Sequence, residues 1–382
     1  MKNQKICIIG GNLTGLVTAI ALSKFNCDID LITGKYNKKL KSNRTIAISE
    51  DSLNFLNELN IFNSIKKETW ICSNMKLYSE LQDGKFSEIF ELNKENKNEN
   101  IFYMIENSKL IKLIMKRIEK IKTISLKKNK KVSSINNSGS LQSVKFNNKI
   151  SKYNLVIVCT GHNSFLIKDE LNKKIIENSY KEFAITTILK HKTINNNTAR
   201  QIFLDNAIFA FLPISNNKTS IVWSIKNSMK DKSNIFFKKK IKLYASKYLK
   251  DLSIISNIEK KDLNLIIRSK YYLNRTLLFG DALHVMHPFV GQSFNMTLRD
   301  LKCLKKILKE KINLGLDIGS SDVLSEFSQE TKPRNFSFSV GSDLLKNMVS
   351  LKEARNNIFK ILNQSSFAKD VFYNVANKGL KF

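Results

Sequence analysis

Apolar and polar positions change period several times along the chain, and the changes divide it into elements. Lys5–Ile9 is a short apolar run, a glycine-rich turn follows at 10–15, and Leu13, Leu16, Val17, Ile20 and Ala21 then recur at helical spacing. Asp28–Thr33 alternates as a strand does, so the chain begins with a strand, turn, helix, strand unit. Helices are predicted over Ser52–Ile65, with Leu53, Leu56, Leu59 and Phe62 on one face, and over Ser108–Ile121. Between them Met75–Leu92 alternates like a sheet and runs into the polar tract Asn93–Asn100, a loop. Three strand-like pieces between Thr123 and Lys152 lead to a buried strand, Leu155–Cys159. A β-rich stretch covers Phe183–Ile225, with alternation clearest at Ile221–Ile225. After Ile267 come a strand at Thr276–Phe279, a loop, and a helix beginning near Asn295; the last fifty residues carry helical stripes such as Phe367, Val371, Phe372 and Val375. No internal repeat is visible. The expected class is α/β (α+β): a Rossmann-like domain, a second sheet-based domain inserted into it, and C-terminal helices.

Composition narrows the partners. A chain of 382 residues with 42% apolar content folds around two to three cores. The net charge of +31 resembles that of a nucleic-acid binder, but the cations are 56 Lys against 8 Arg. Recognition of phosphate and bases favours Arg forks with interleaved aromatics. Here the lysines form solvated runs such as Lys127–Lys131 and Lys238–Lys240, so no nucleic-acid partner is expected. Cys7, Cys27, Cys72, Cys159 and Cys303 are odd in number and far apart, which reads as free thiols in a reducing compartment. His162, His191, His284 and His287 lack partners at metal spacing, so no metal site is expected. Glycines and polar residues interrupt the apolar N-terminal stretch, and no run of 18 apolar residues occurs. A cytoplasmic location is expected.

Two segments carry the chemistry. Gly10-Gly11-Asn12-Leu13-Thr14-Gly15 has the outer glycines of GxGxxG with Asn12 in the middle, and Thr33 stands where an acid would hold a ribose. A tight strand-to-helix turn and a dinucleotide cradle both satisfy that pattern. The second segment is more specific. Gly280-Asp281-Ala282-Leu283-His284-Val285-Met286-His287-Pro288-Phe289-Val290-Gly291-Gln292-Ser293-Phe294-Asn295 ends at Leu298-Arg299-Asp300. An Asp closes a strand where it can bind sugar hydroxyls, and a helix N-terminus presents amides to an anionic acceptor.

This stretch resembles the Gly-Asp-Ala-x-His-x-x-x-Pro-x-x-Gly-Gln-Gly-x-Asn segment of the para-hydroxybenzoate hydroxylase superfamily. In detail it resembles the FAD-dependent hydroxylases of ubiquinone biosynthesis. Arg44-Thr45-Ile46-Ala47-Ile48, Phe209-Ala210-Phe211-Leu212-Pro213-Ile214, Ser220-Ile221-Val222-Trp223, and the tail around Pro333-Arg334-Asn335 and Leu344-Leu345 match the same family. The chain departs from it at Cys159-Thr160-Gly161-His162-Asn163-Ser164, where the usual acid is missing, and at Ser293 and Thr297.

The resemblance implies an FAD-dependent monooxygenase that hydroxylates a phenolic, polyprenylated ring through a flavin hydroperoxide, using molecular oxygen and NADH, NADPH or another electron donor. It assigns FAD contact to Gly10, Gly11, Asn12, Leu13, Thr14, Gly15, Thr33, Arg44, Gly280, Asp281, Pro288, Gly291, Gln292, Ser293, Phe294 and Asn295. Pro288, Gly291 and Gln292 lie at the reactive flavin edge, and no protein nucleophile is expected. Residues 1–68, 102–172 and 266–325 would form the FAD domain, 69–101 and 173–265 the substrate domain, and 326–382 a helical region. The resemblance and the basic surface imply a peripheral place on the inner membrane or in a ubiquinone-biosynthesis complex. Two alternatives share the motifs: a flavin oxidoreductase that does not hydroxylate, and a non-catalytic member scaffolding an assembly.

Overall fold

In the computed structural model, which describes residues 4–34, 42–61, 66–93, 100–205, 207–287 and 291–379, the chain begins with strand β1 (Gln4–Ile9), helix α1 (Leu13–Leu22) and strand β2 (Cys27–Ile32). Next come β3 (Thr45–Ile48), α2 (Glu50–Glu58), β4 (Trp70–Cys72), β5 (Asn74–Glu80), β6 (Phe86–Asn93), β7 (Phe102–Glu106) and α3 (Asn107–Ile118). Strands β8 (Ile124–Lys127), β9 (Val132–Ser138), β10 (Leu141–Phe146), β11 (Lys149–Tyr153) and β12 (Leu155–Val158) precede a short α4 (Asp169–Asn172). The next group is β13 (Lys174–Lys190), β14 (Thr198–Leu204), β15 (Ala207–Ser215), β16 (Lys218–Lys226), α5 (Asn234–Ala245), β17 (Ser253–Ile254) and β18 (Glu259–Arg268). The chain then runs through β19 (Tyr272–Leu273), β20 (Thr276–Leu278), β21 (His284–Val285), α6 (Ser293–Asn313), α7 (Ser321–Ser350), α8 (Lys352–Gln364) and α9 (Ser366–Lys378).

One sheet has the order β19-β20-β12-β1-β2-β8, parallel except at β19. Its central strands are covered on both faces, and accordingly β12 reads Leu-Val-Ile-Val with every residue buried. Helix α1 is buried almost all round because the sheet, α3 and α6 enclose it. The meander β9–β11 stacks on β1 and β12. The second sheet runs β21-β18-β13-β16-β15-β14-β5-β6, with β17 beside β13, and is antiparallel except where β14 meets β5. Phe209, Phe211 and Trp223 lie in its core, where Phe237 and Ile241 of α5 pack on them. A three-stranded sheet, β3-β7-β4, lies next to α2 and the second sheet.

Three expectations shift. The helix expected over Ser52–Ile65 ends at Glu58, because Asn60 takes a left-handed φ of 57° and turns the chain; residues 62–65 lie outside the described residues. The region between Thr123 and Lys152 holds four strands rather than three. In β11 only Tyr153 is buried, so its alternation was masked. The late helix starts at Ser293, two residues before Asn295.

Candidate active site

The glycine-rich turn sits at the carboxyl end of the parallel sheet, where such folds bind ligands. Gly10 has φ +141°, and a Cβ there would lie 2.6 Å from the Cys159 carbonyl oxygen. A Cβ on Gly15 would lie 2.2 Å from the Gly10 carbonyl, so the first turn of α1 can pass β1 only with glycine at that place. Asn12, by contrast, is exposed and extended, with φ −93°; the middle position needs no left-handed residue. Its side chain makes no cap bond and no acid occupies the first turn, so the α1 amides stay open to an anion. Thr33, buried at the end of β2, packs its Cβ and methyl against Gly11. Gly280 closes the fourth side: a Cβ on it would meet the Thr14 methyl at 2.6 Å. Leu13 and Gly15 are buried, and Asp281 is half-buried in the turn after β20.

The second segment closes onto β3. Asn295, fully buried, donates from Nδ2 to the Ala47 carbonyl at 3.0 Å and accepts from the Ser49 amide at 3.1 Å. This fastens the start of α6 to β3 and the residue after it. Gln292, 4% exposed, precedes α6 with neither amide atom partnered among the described residues. It makes no cap bond, and the first turn of α6 has no acid. Ser293 opens the helix without positive φ, so the residue replacing glycine adds no backbone strain. Phe294 leans on the main core, and Gly291 is exposed beside Ala47. Pro288 lies outside the described residues.

Sequence reasoning missed two cations. Arg268 is 1% exposed; it donates from Nε to the Ala282 carbonyl at 2.7 Å and from Nη2 to the His162 carbonyl at 2.8 Å. It thereby joins β18 to both turns at the sheet edge, and burial lowers its pKa. An Arg closing the apolar run Leu265–Ile267 was the available signal. Lys261, exposed on the same strand, is held below its ordinary pKa by crowding that strips water from its ammonium and then by the Arg44 charge, with Asp281 opposing. Arg44, Lys261 and Asp281 therefore share one electrostatic neighbourhood. One Lys among so many gave no signal.

Two of the histidines, His284 and His287, each face an acid. His284 Nε2 lies 3.0 Å from Asp300 Oδ2, and Asn335 Nδ2 donates to both Asp300 oxygens at 3.0 and 2.9 Å. His287 Nε2 lies 3.3 Å from Glu182 Oε2. His162 forms part of the turn after β12 and gives its carbonyl to Arg268. Among the described residues no group of three His, Cys, Asp or Glu could hold a metal ion. A separate concavity of about 500 Å³, lined by Lys5, Asp28, Lys122, Lys127 and Lys130 among others, contains none of the candidate residues.

Two uncapped helix starts, an acid at a strand end and a buried unpartnered amide fit a ligand that carries a pyrophosphate, a polyol and a polar ring, as FAD does. A family model described as an FAD binding domain matches residues 3–336. The chain belongs to that family, and FAD is its cofactor. Among sequence relatives, the mitochondrial ubiquinone biosynthesis monooxygenase COQ6 of Dictyostelium discoideum is 23% identical, with 97% of this chain and 90% of that protein covered. The ubiquinone hydroxylase UbiL of Rhodospirillum rubrum is also 23% identical, with 91% and 82% covered. Among solved structures, p-nitrophenol 4-monooxygenase PnpA from Pseudomonas putida DLL-E4 superposes with a TM-score of 0.79 at 15% identity, covering 98% of each chain. PqsL from P. aeruginosa, in complex with 2-aminobenzoylacetate, gives 0.79 at 13%, covering 94% of this chain and 100% of that one. The fold and the family resemblance read from the sequence are borne out.

Proposed function

We propose that this protein is an FAD-dependent monooxygenase that hydroxylates the ring of a polyprenylated phenol in ubiquinone biosynthesis. The observation that carries the reading is Gln292, buried with both amide atoms unpartnered where the start of α6 meets β3. Relatives named as ubiquinone monooxygenases and hydroxylases, aligned over most of this chain, support it.

In this reading residues 1–68, 102–172 and 266–325 form the FAD domain, 69–101 and 173–265 the substrate domain, and 326–382 the helical region. Gly10, Gly11, Asn12, Leu13, Thr14 and Gly15 offer amides to the pyrophosphate, Thr33 and Asp281 hold hydroxyls, and Arg44 adds positive charge. Gly291, Gln292, Ser293, Phe294 and Asn295 frame the flavin ring, Gly280 lets the turn after β20 lie against Thr14, and Pro288 keeps the flavin-edge role that the resemblance gives it. FAD supplies the electron transfer and oxygen activation, and the protein orients the ring and excludes water. Electrons come from NADH, NADPH or another donor. Purified protein loaded with FAD should show flavin absorption, and deletion of its gene should accumulate a quinone precursor lacking one ring hydroxyl. A colourless protein that cannot be loaded would sink the reading, while an unchanged quinone pool would remove the pathway and leave the flavin.

The substrate class sets a place for the protein. No helix among the described residues is long and apolar enough to cross a membrane. On α7, α8 and α9 and the junction between the first two, however, Leu344, Met348, Leu351, Ile361, Phe367 and Val371 are exposed, Phe367 by 77%. With the basic surface, this face suits peripheral docking on an anionic leaflet. Phe367→Ser with Ile361→Ser should reduce sedimentation with phosphatidylglycerol vesicles several-fold, and raised salt should reduce it further. Binding indifferent to both would count against the docking face.

A further inference from the structure

A partly buried ionisable cluster stands where the second sheet, the loop after β21 and helix α7 converge. Glu182 of β13 accepts from Lys346 Nζ at 2.8 Å through Oε1 and faces His287 Nε2 at 3.3 Å through Oε2. Tyr180 meets the His287 ring edge-on, with centroids 5.1 Å apart, donates to Asp343 Oδ1 at 2.6 Å, and lies under Lys346 Nζ. The groups facing His287 are therefore Tyr180 and Glu182 from β13, and Asp343 and Lys346 from α7.

The backbone is bent to make this arrangement. Ser179 pairs with Asn264 and Glu182 with its neighbour Leu263, so two residues bulge out of β13, and Lys181 takes φ +52°. Bulges that re-aim a side chain at the cost of an unfavourable backbone cluster beside active sites. His287 also differs from His191, which is 4% exposed like it but pairs both nitrogens, with the Lys192 carbonyl and Thr219. The Nδ1 of His287 is enclosed and has no hydrogen-bond partner among the described residues. His284 also leaves Nδ1 unpartnered, but Asp300 and Asn335 hold it between α6 and α7.

We propose that His287 takes the proton from the ring hydroxyl of the phenolic substrate, with Glu182 positioning its imidazole; this rests on the hydroxylase reading above. Loss of that proton places a full electron pair on the ring oxygen, which raises the electron density of the ring toward an electrophilic oxygen donor. The O–H bond breaks, its electron pair stays on oxygen, and the proton moves to Nδ1. The Glu182 carboxylate stabilises the imidazolium through Nε2–H, much as a buried carboxylate holds a catalytic histidine elsewhere. The proton returns to the product hydroxyl, so none is gained or lost over the cycle. Burial lowers the His287 pKa, with Glu182 opposing and Lys346 assisting, which keeps the ring neutral and able to accept.

The test uses FAD-loaded, oxidised protein and 4-nitrophenol, which absorbs in the visible only when ionised, followed by difference spectroscopy against pH. Bound probe should ionise at lower pH than free probe. His287→Gln should raise that midpoint by about one pH unit, a tenfold loss of ionised fraction. Glu182→Gln should raise it by less. Lys346→Met, which removes a cation opposing imidazolium, should lower it. His284→Gln should leave it unmoved. Flavin absorption reports that each variant is folded, and His287→Asn serves if His287→Gln is not. A His287 variant that binds the probe and ionises it at the wild-type midpoint overturns the assignment, as do variants that all shift one way. Wild-type protein that loads FAD and binds the probe without favouring its ionisation removes this inference alone, whereas failure to bind any phenol removes the hydroxylase reading as well.

Discussion

Alanine at Gly15 should weaken FAD retention by about 10²-fold while leaving the secondary structure in place. The added methyl would stand 2.2 Å from the Gly10 carbonyl oxygen and 3.5 Å from Cys159 Cβ. Relief needs a displacement of about 1 Å, roughly what separates that distance from ordinary van der Waals contact. Neither side yields easily: β1 is hydrogen-bonded into the sheet on both edges, and α1 is enclosed. The displacement falls on the α1 amides, and misplacement on that scale costs about two orders of magnitude in other preorganised sites. Fluorescence of FAD released on dialysis, with circular dichroism as the folding control, measures the effect. A variant that holds FAD as tightly as wild type would show that the turn is only a passage from strand to helix.

Asp300→Ala should be the most destabilising polar substitution of the interior, by about 3–5 kcal/mol. Asp300 is 3% exposed and accepts from His284 and Asn335, both buried. Its removal strands two polar groups where water does not reach, and the cost of the unpaired partners exceeds the worth of the bonds themselves. Asp300→Asn, which keeps the volume and one acceptor, should lose less. Urea unfolding midpoints for the two variants check both the size and the order. An alanine variant as stable as wild type would mean that water enters this region.

The Asp300 cluster also marks what could be read in the chain beforehand. Gly280–Asp300 and Pro333–Asn335 stood out as segments, and the parallel sheet, its turn and the late helix followed from local period. That Asn335 reaches Asp300 follows from the packing of α7 on α6, and no local period encodes it. Glu182 was illegible for a different reason. Its bulge is made by Tyr180 and Lys181, without the glycine, proline or asparagine that ordinarily marks a break. Composition hid the rest: β11 leaves Lys149, Ile150 and Lys152 all exposed and so shows no alternation, and Lys261 was one cation among many. Arg268 was open to reading, because an Arg directly after the apolar Leu265–Ile267 end of β18 has to be paired if it lies inside.

The far end of the described chain bears on when the cofactor can enter. Asn377 of α9 accepts from the Asp51 amide through its side chain and from Ser49 Oγ through its carbonyl, while Tyr373 bonds Glu50 and the Asn100 carbonyl. The Ser49 amide is the one that Asn295 holds, so the turn after β3 is tied on one side by α6 and on the other by α9. On a growing chain, α9 leaves the ribosome some 330 residues after the turn it secures, long after β1 and α1 have been made. In the proposed reading, the Gly280 side of the cradle is added late and the turn that Asn295 holds is tied on both sides only at the end of synthesis, so stable loading with FAD becomes a step that follows translation.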